Sequence, residues 1–504
     1  MKLIELCRSA AIDCPREKEH DEVLSIAADS ALITEKSLFV CIRGLRVDGH
    51  DYIADAISRG ARWIVVEEGY AGEKIRNVTY LTVKNTRRAW SYLCNQWYGD
   101  PCSKLKMIGV TGTNGKTTVT HMIREILSKQ GVTCGMIGTL GCYLGDTQFM
   151  MDGGDPLANM TTPDPQALYR ALSMMAEQGA ECVVMEVSSH ALALERVAPI
   201  RFSIAIFTNL TPEHLDFHET MEEYANAKAS LLANCDCAIV NADSPYAERM
   251  ISAVKKTLRL CSVMRNDTAY SAKNVFISDM GVTYTLYKGK ERKKVSCPIG
   301  GSFTVDNSMQ AIACAAEMGV PLDRAAEAIA TMRGVKGRME RVLLPKTAEF
   351  SVWIDYAHTP DALKNLLIAA QRMRNEHGRL ILLFGCGGDR DRKKRPQMGM
   401  IASQYADLTV ITTDNSRSED KYKIIREILA GISLRKPCAV IADRREAIEN
   451  VMINAERGDV ILLAGKGHEE YEIDADGRHF FSERQIVLDA YAKRIQKQHE
   501  EGAK

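Results

Sequence analysis

A chain of 504 residues that is 46% hydrophobic has material for about three packed domains of ordinary size. Lysine plus arginine equals aspartate plus glutamate, 65 against 65, so no net field draws the chain to nucleic acid or a membrane surface, and any anion must be met locally. The 15 cysteines are scattered without zinc spacing, no apolar run reaches a membrane span, and residues 1–22 lack the apolar core of a signal peptide, so the expectation is a soluble, cytoplasmic protein with reduced thiols.

Strands are expected at 37–42 and 62–67, flanking a helix whose apolar positions include Ile53, Ala56 and Ile57. The intervening GLRVDGHDYI, residues 44–53, reads as a connecting loop with Asp48, Gly49 and His50 in turn chemistry. A helix follows near 86–97, and YGDPCSKL at 98–105 reads as a linker.

The stretch 107–130 carries the strongest signal. Residues 107–111 read as a buried strand, the chain turns through Gly112, Thr113, Asn114 and Gly115, and a helix starts near Lys116 with Val119, Met122, Ile123, Ile126 and Leu127 on one face. A glycine turn between strand and helix aims backbone NH groups at one point, where the helix dipole also favours an anion. Lys116 adds a charge for terminal phosphates, and the hydroxyl of Thr117 or Thr118 can ligate their magnesium. Val110 stands where the general P-loop has glycine, so GTNGKT is a variant.

Further strands are expected at 182–187, 202–207 and 237–240, each ending in polar residues, as in a parallel sheet whose ligands sit at the carboxyl edge. Glu186 closes one strand and His214 lies in the loop after the next, so both can face the phosphate turn and hold metal there. Ser188, Ser189 and His190 lack the glycine-flanked elbow of a serine nucleophile. Thr220 and Glu223 form a capping box for a helix running through Leu232, on which Lys228 reads, from sequence alone, as a solvated lysine.

GTNGKTT, the triplet Thr161-Thr162-Pro163, EVSSHAL at 186–192, FTNLTPEHLDFH at 207–218 and Lys228 together resemble the Mur ligases, three-domain enzymes that form amides at the expense of ATP. DYAHTPDAL at 355–363, GCGGDRDRKKRP at 385–396, DNSRSED at 414–420 and AGKGHE at 464–469 are similar to the MurE type of that family. The resemblance implies an α/β fold with a small UDP-substrate domain at 1–102, a central ATP domain at 103–341 and a Rossmann-like amino-acid domain at 342–504. It implies ATP and Mg2+ as cofactors, a UDP-muramyl dipeptide and a diamino acid as small-molecule substrates, and a monomer with no nucleic-acid or membrane partner.

By the same resemblance, Lys116 would hold the terminal phosphates, Thr117 and Glu186 one magnesium, and His214 with Lys228, as a carbamate, the second. Asn307, Arg338, Asp355 and His358 would frame the nucleotide, while Ser30, Thr161, Thr162, Ser188 and Arg196 would meet the UDP substrate. Ala31 follows Ser30 where the family often has arginine, and Glu213 precedes His214 where aspartate is usual.

The last third reads on its own as strands at 352–355, 380–384, 408–412, 439–442 and 460–463, with loops at their carboxyl edge contributing Arg390, Asp414, Asn415, Ser416, Arg417, Gly465 and Glu469. A diamino acid needs partners of both signs, and arginine grips carboxylate as a fork. In DRDRKKR only Arg390 is expected to leave the solvated surface. Family members that take meso-diaminopimelate carry DNPR; DNSR keeps Arg417, which favours that acceptor over L-lysine, but Ser416 in place of proline is expected to free the loop. Folylpolyglutamate synthase shares the phosphate turn without the remaining motif set, and a P-loop switch protein would leave the last domain without a purpose.

Overall fold

The structure, a computed structural model, describes residues 1–44, 47–145, 147–149, 160–278, 281–345, 347–374 and 377–502. The expected loop at 44–53 is partly outside them, because Leu45 and Arg46 are not among the described residues.

Three sheets follow one another along the chain. The first is a four-stranded parallel sheet in sequence order, Ser25–Ala27, Ser37–Val40, Ala61–Glu67 and Thr79–Val83. Its inner strands and the helices Ile53–Ser58 and Thr86–Trp97 fall where the apolar spacing places them. The outer two strands have weaker signals: Ser25–Ala27 is three residues long, and in Thr79–Val83 only Leu81 and Val83 are buried. Residues 98–105 are more than a linker, since Pro101–Lys104 forms a helical turn with proline at its first position, where the missing NH costs nothing.

The second sheet has eleven strands, parallel in the middle and antiparallel at both edges. The strand Lys106–Thr111 lies between Phe202–Phe207 and Cys182–Glu186. From it the chain first builds Cys134–Gly138 and Cys182–Glu186 on one side, then crosses to Phe202–Phe207 and Cys235–Asn241 on the other. That reversal opens a crevice at the strand's carboxyl end, at the phosphate turn. The helix Lys116–Lys129 buries Val119, Met122, Ile123, Ile126 and Leu127, all at most 1% exposed.

The third sheet places Val460–Ala464 between Ser351–Asp355 and Leu380–Phe384, with Leu408–Ile411 and Cys438–Val440 beyond. These are parallel; the short strand Glu340–Arg341 pairs antiparallel at the edge, so this sheet begins two residues before position 342. A two-stranded ribbon, Tyr471–Asp474 with Gly477–Phe480, follows the last parallel strand and was not legible as strand, its residues being mostly polar.

Alternation along the strands divides the interior. In the central sheet Ile108, Val110, Val184, Ile204, Ile206 and Ile239 join a core that continues into the third domain through Trp353 and Leu363. Met107, Val183, Met185, Ala205, Phe207 and Ala238 point the other way, into a core shared with Leu3, Trp63 and Leu93 of the first domain. All 15 cysteines are free, and most are buried among these residues.

Truncating Ile123 to alanine removes a fully buried side chain from the face of the helix behind the turn and should cost about 2–5 kcal/mol. A lowered urea midpoint checks this; an unchanged midpoint would contradict the packing.

Candidate functional site

The phosphate turn is built by constraint from both sides. Gly112 and Gly115 adopt φ of 149° and 89°, and a Cβ on Gly112 would lie 1.9 Å from Thr208 Oγ1, one on Gly115 2.5 Å from Asn307 Oδ1. The Thr113 NH donates to the Asn209 carbonyl (2.9 Å), the Asn114 NH to Asn209 Oδ1 (2.9 Å), and the Thr208 hydroxyl to the Asn114 carbonyl (2.6 Å). The loop after Phe202–Phe207 is thus the scaffold of the turn. The motif TNL was visible in sequence, but its role was not.

Two ammonium groups converge on one carbonyl oxygen. Lys116 Nζ donates to Gly112 O and Thr113 O, both at 2.9 Å, and Lys228 Nζ also reaches Gly112 O at 2.9 Å. Lys228 is 1% exposed and lies 4.6 Å above the Tyr224 ring. The expectation of a solvated lysine fails here because Lys228 is on the inward face of Met221–Ala233 with Tyr224, Ala225, Ala229 and Leu232. Burial first, and then Lys116 beside it, holds its pKa well below that of an ordinary lysine. Burial likewise lowers Lys116, against the pull of Glu213 and Glu186.

Glu186 ends its strand at 1% exposure, where it accepts from the Thr117 hydroxyl (3.0 Å), the Thr139 NH (2.9 Å) and the Thr139 hydroxyl (3.2 Å). Thr139, which sequence reading passed over, follows the strand Cys134–Gly138 and is part of this cluster by position at the same sheet edge. A buried carboxylate and a hydroxyl at a phosphate turn are hard oxygen donors suited to magnesium. Among the described residues no three His, Cys, Asp or Glu side chains converge as a metal cage, so a metal here would take its other ligands from phosphate and water.

The third domain closes on the turn. Arg338 Nη2 donates to Thr117 Oγ1 (3.0 Å) while its guanidinium lies 4.6 Å over the Tyr356 ring. Asp355 caps the backbone beside it, accepting from the NH groups of Met339 (2.7 Å) and Ala357 (2.8 Å). The Asn114 amide donates to Asp361 (3.0 Å) across the same boundary. Glu213 bridges the domains, with Oε1 3.5 Å from His358 Nε2 and Oε2 3.7 Å from His214 Nε2. Although burial pushes its carboxyl up, His358 and His214 outweigh that and hold it below the usual range. His214, at φ 57°, keeps 43% of its side chain open to the cleft.

Thr161, Thr162, Ser188 and Arg196 form one network: Thr162 donates to the Glu186 carbonyl (2.9 Å) and accepts from the Ser188 NH (3.0 Å), Arg196 donates to the Thr162 carbonyl (2.8 Å), and the Thr161 and Thr139 hydroxyl oxygens are 3.2 Å apart. The Ser188 hydroxyl also caps the short helix Ser189–Ala193. Ser30 is bonded within the first domain, where its hydroxyl donates to Asp55, so the described contacts do not bring it to this group.

The loops of the third sheet meet as expected. Asn415 Nδ2 donates to Glu469 Oε2 (2.8 Å), and its Oδ1 accepts from Lys466 Nζ (3.0 Å) and the Ile473 NH (3.0 Å), which fixes which way the amide points. A Cβ on Gly465 would lie 3.1 Å from Asp414 Oδ2. Burial raises Glu469, with Asp414 adding to it. A cleft of about 480 Å³ opens beside Glu469, with Thr139, His121 and Arg124 on its other wall.

Two expectations are corrected here. In the run DRDRKKR it is Arg395 that leaves solvent completely, at 0% exposure, donating to Glu419, Glu427 and the Gly387 carbonyl, whereas Arg390 stays exposed near Gly387. The run reads as surface because its helix, Lys394–Tyr405, starts inside it and turns one arginine inward. Ser416 does not free its loop: Gly388 NH donates to the Asn415 carbonyl (2.8 Å), Arg417 NH to Ile473 O (3.1 Å), and Arg417 Nη1 to Gly388 O (2.8 Å). Two neighbouring segments supply the rigidity a proline would.

A phosphate turn at a topological switch, closed by a second α/β sheet with a polar acceptor edge, defines a multidomain nucleotide-binding fold. Residues 110–315 match the Mur ligase middle domain, 337–467 the Mur ligase glutamate ligase domain, and 22–98 the Mur ligase family catalytic domain. The chain is similar to the UDP-N-acetylmuramoyl-L-alanyl-D-glutamate–2,6-diaminopimelate ligase of Alkaliphilus metalliredigens, 42% identical over 474 residues that cover 93% of each protein. A solved structure of a ligase with that same name aligns at TM-score 0.69 and 29% identity, covering 98% of this chain and 100% of its own. The MurF ligase of Thermotoga maritima, solved with ADP, shares the fold at TM-score 0.59 and 16% identity, covering 94% of this chain and 98% of its own. The chain belongs to the Mur ligase family.

Gly115→Ala should weaken nucleotide binding about tenfold, since a left-handed backbone costs an L-residue about 1–2 kcal/mol and the new methyl displaces Asn307. Calorimetric titration with a non-hydrolysable ATP analogue measures it; unchanged affinity would exclude this turn as the phosphate site. Burial holds His218 at about 4 and His121 and His468 at about 3, below the 6.5 or so of an unfolded histidine. Below that value the unfolded chain binds more protons than the folded one, so stability should fall as pH drops from about 6.5 towards 4. Denaturation midpoints that stay flat over that window would contradict the buried neutral state.

Proposed function

We propose that the chain joins meso-diaminopimelate to UDP-N-acetylmuramoyl-L-alanyl-D-glutamate at the expense of ATP, releasing ADP and phosphate, in the synthesis of peptidoglycan precursors. The observation that supports this reading is the apposition of the third domain to the phosphate turn through Asn114 with Asp361 and to the neighbouring loop through Glu213 with His358. A cleft with Glu469 on one wall and Thr139, which bonds Glu186, on the other is in keeping with it.

A free carboxylate of the glutamyl residue attacks the terminal phosphorus of ATP, and ADP leaves with the bonding pair. The neutral amine of the diamino acid then adds to the acyl carbon, and the tetrahedral intermediate expels phosphate as the nitrogen gives up a proton to phosphate or solvent. Lys116, the NH group of Gly115 and Arg338 are read as the groups that balance charge on the phosphoryl group; Gly112, Thr113 and Asn114 shape the turn, and Thr118, Asn307, Asp355 and His358 complete the nucleotide site. Thr161, Thr162, Ser188, Arg196 and, in the first domain, Ser30 are assigned to the UDP substrate. Arg390, Asp414, Asn415, Ser416, Arg417, Gly465 and Glu469 are assigned to the acceptor, whose ammonium groups suit the carboxylates and whose distal carboxylate suits Arg417.

Magnesium, when bound, neutralises phosphate oxygens; Thr117 and Glu186 fit one ion, and His214 with Lys228 the other. Lys228 fits that role only as a carbamate, formed when its neutral amine adds to carbon dioxide and loses a proton. Burial, which lowers the pKa of this amine well below that of an ordinary lysine and so favours its neutral form, supports the assignment. Domain divisions near 102 and 341 follow from the same reading. The same reading takes the protein as a cytoplasmic monomer; no described helix is long and apolar enough to cross a membrane.

Product formation from ATP, magnesium and the UDP-dipeptide should require an added amino acid and be faster with meso-diaminopimelate than with L-lysine; the reverse preference would refute the acceptor. Arg417→Ala should raise KM for diaminopimelate about ten- to hundredfold, the 1.5–3 kcal/mol of a charged hydrogen bond, and leave KM for ATP unchanged. An equal loss for ATP would remove Arg417 from the acceptor site.

A further inference from the structure

Arg444 is a charged residue in an adverse place. It is the first residue of the helix Arg444–Ile453, where the helix dipole is positive, and it is 1% exposed. A buried cation there persists only if its surroundings compensate it. Its Nε donates to Glu483 Oε1 at 2.9 Å, and Glu483, 3% exposed, opens the C-terminal helix Glu483–Gly502. Nη2 also lies 2.8 Å from Glu483 Oε1, and two backbone carbonyls complete the set: Nη1 donates to Thr413 O at 3.0 Å and Nη2 to Ala464 O at 2.8 Å.

These carbonyls are at telling positions. Thr413 immediately precedes Asp414, Asn415, Ser416 and Arg417, and Ala464 immediately precedes Gly465, Lys466 and the turn that leads to Glu469. The strands Leu408–Ile411 and Val460–Ala464 are not neighbours in the sheet, because Leu380–Phe384 runs between them. Ladder hydrogen bonds therefore cannot fix the spacing of the two loops directly, and the planar guanidinium spans it. On the other side of the same junction Lys466, 0% exposed, ties Asn415 Oδ1 (3.0 Å) to the Tyr471 carbonyl (2.8 Å) and stands 3.5 Å from Asp414.

We propose that Arg444, anchored by Glu483, is a positioning residue for the acceptor amino acid: it sets the distance between the Asp414–Arg417 loop and the Gly465–Glu469 loop without touching substrate. The inference rests on reading those loops as the acceptor site. Arg444 ties the carbonyls of both strand ends from a third element, so a substitute that keeps the charge without the fork loses that tie and leaves the loop spacing to Asn415 and Lys466 alone. Acceptor binding is the step that should register this, because its two ammonium and two carboxylate groups are shared between the loops, while ATP lies at the far side of the interface.

The test uses the full-length enzyme with ATP, the UDP-dipeptide and meso-diaminopimelate. Arg444→Lys retains the charge beside Glu483 but cannot reach both carbonyls, and should raise KM for diaminopimelate by about tenfold, with KM for ATP within twofold. The double variant Arg444→Met with Glu483→Met removes the buried charges together; it should recover thermal stability relative to Arg444→Met alone yet keep the raised acceptor KM. An acceptor KM at the wild-type value in Arg444→Lys, or one restored along with stability in the double variant, would reduce Arg444 to a structural role and overturn the proposal. Arg417→Ala separates the two readings: if it too leaves the acceptor KM unchanged, the loops are not the acceptor site, and if it alone acts, only the role of Arg444 falls.

Discussion

The meeting of Lys116 and Lys228 on the Gly112 carbonyl is the constraint around which the site is arranged. Two ammonium groups in a dry interior repel, and a single carbonyl dipole cannot satisfy both as cations. Their proton affinities fall, and the arrangement favours anything that brings negative charge to this spot. In the function proposed above, a nucleotide's phosphates would answer Lys116 and a carbamate would answer Lys228. Gly112 is indispensable to this geometry, since any Cβ would collide with the Thr208 hydroxyl that holds the turn from behind.

The rest of the site is assembled by apposition of domains. Arg338 reaches Thr117 at the turn, His358 of the third domain reaches Glu213 in the loop beside it, and Asn114 reaches across to Asp361. Glu213 gains from its length here: the extra methylene relative to aspartate lets one carboxylate address His214 and His358 together. A departure from the family's usual residue thereby becomes a cross-domain link.

Much of this was legible in the sequence because it depends on local rules. The apolar run before Gly112, the three-four spacing after Lys116 and the polar endings of successive strands each follow from the period of the element, and the structure places them accordingly. What could not be read depends on direction in three dimensions. Lys228 and Arg395 look like surface charges because helical spacing does not reveal which face is buried when the neighbouring residues are small or mixed. Thr139 and Lys466 were hidden for another reason: each is defined by partners tens of residues away, Glu186 and Asn415. The strands of the ribbon at 471–480 are four residues each and carry only Tyr471, Ile473 and Phe480 as apolar positions, too few for alternation to stand out.

The division of the interior into separate cores makes the central sheet a partition whose two sides belong to different neighbours. Successive residues of one strand answer to different domains: Met107 to the first, Ile108 to the third, and likewise Val183 and Val184, Ala205 and Ile206. A shift of one residue in the register of any of these strands would therefore exchange the two allegiances at once, turning the side chains that seat one domain towards the other. The strands are consequently held in register from both sides, and the carboxyl ends that carry Gly112, Glu186 and Thr208 inherit a position that neither outer domain could impose alone.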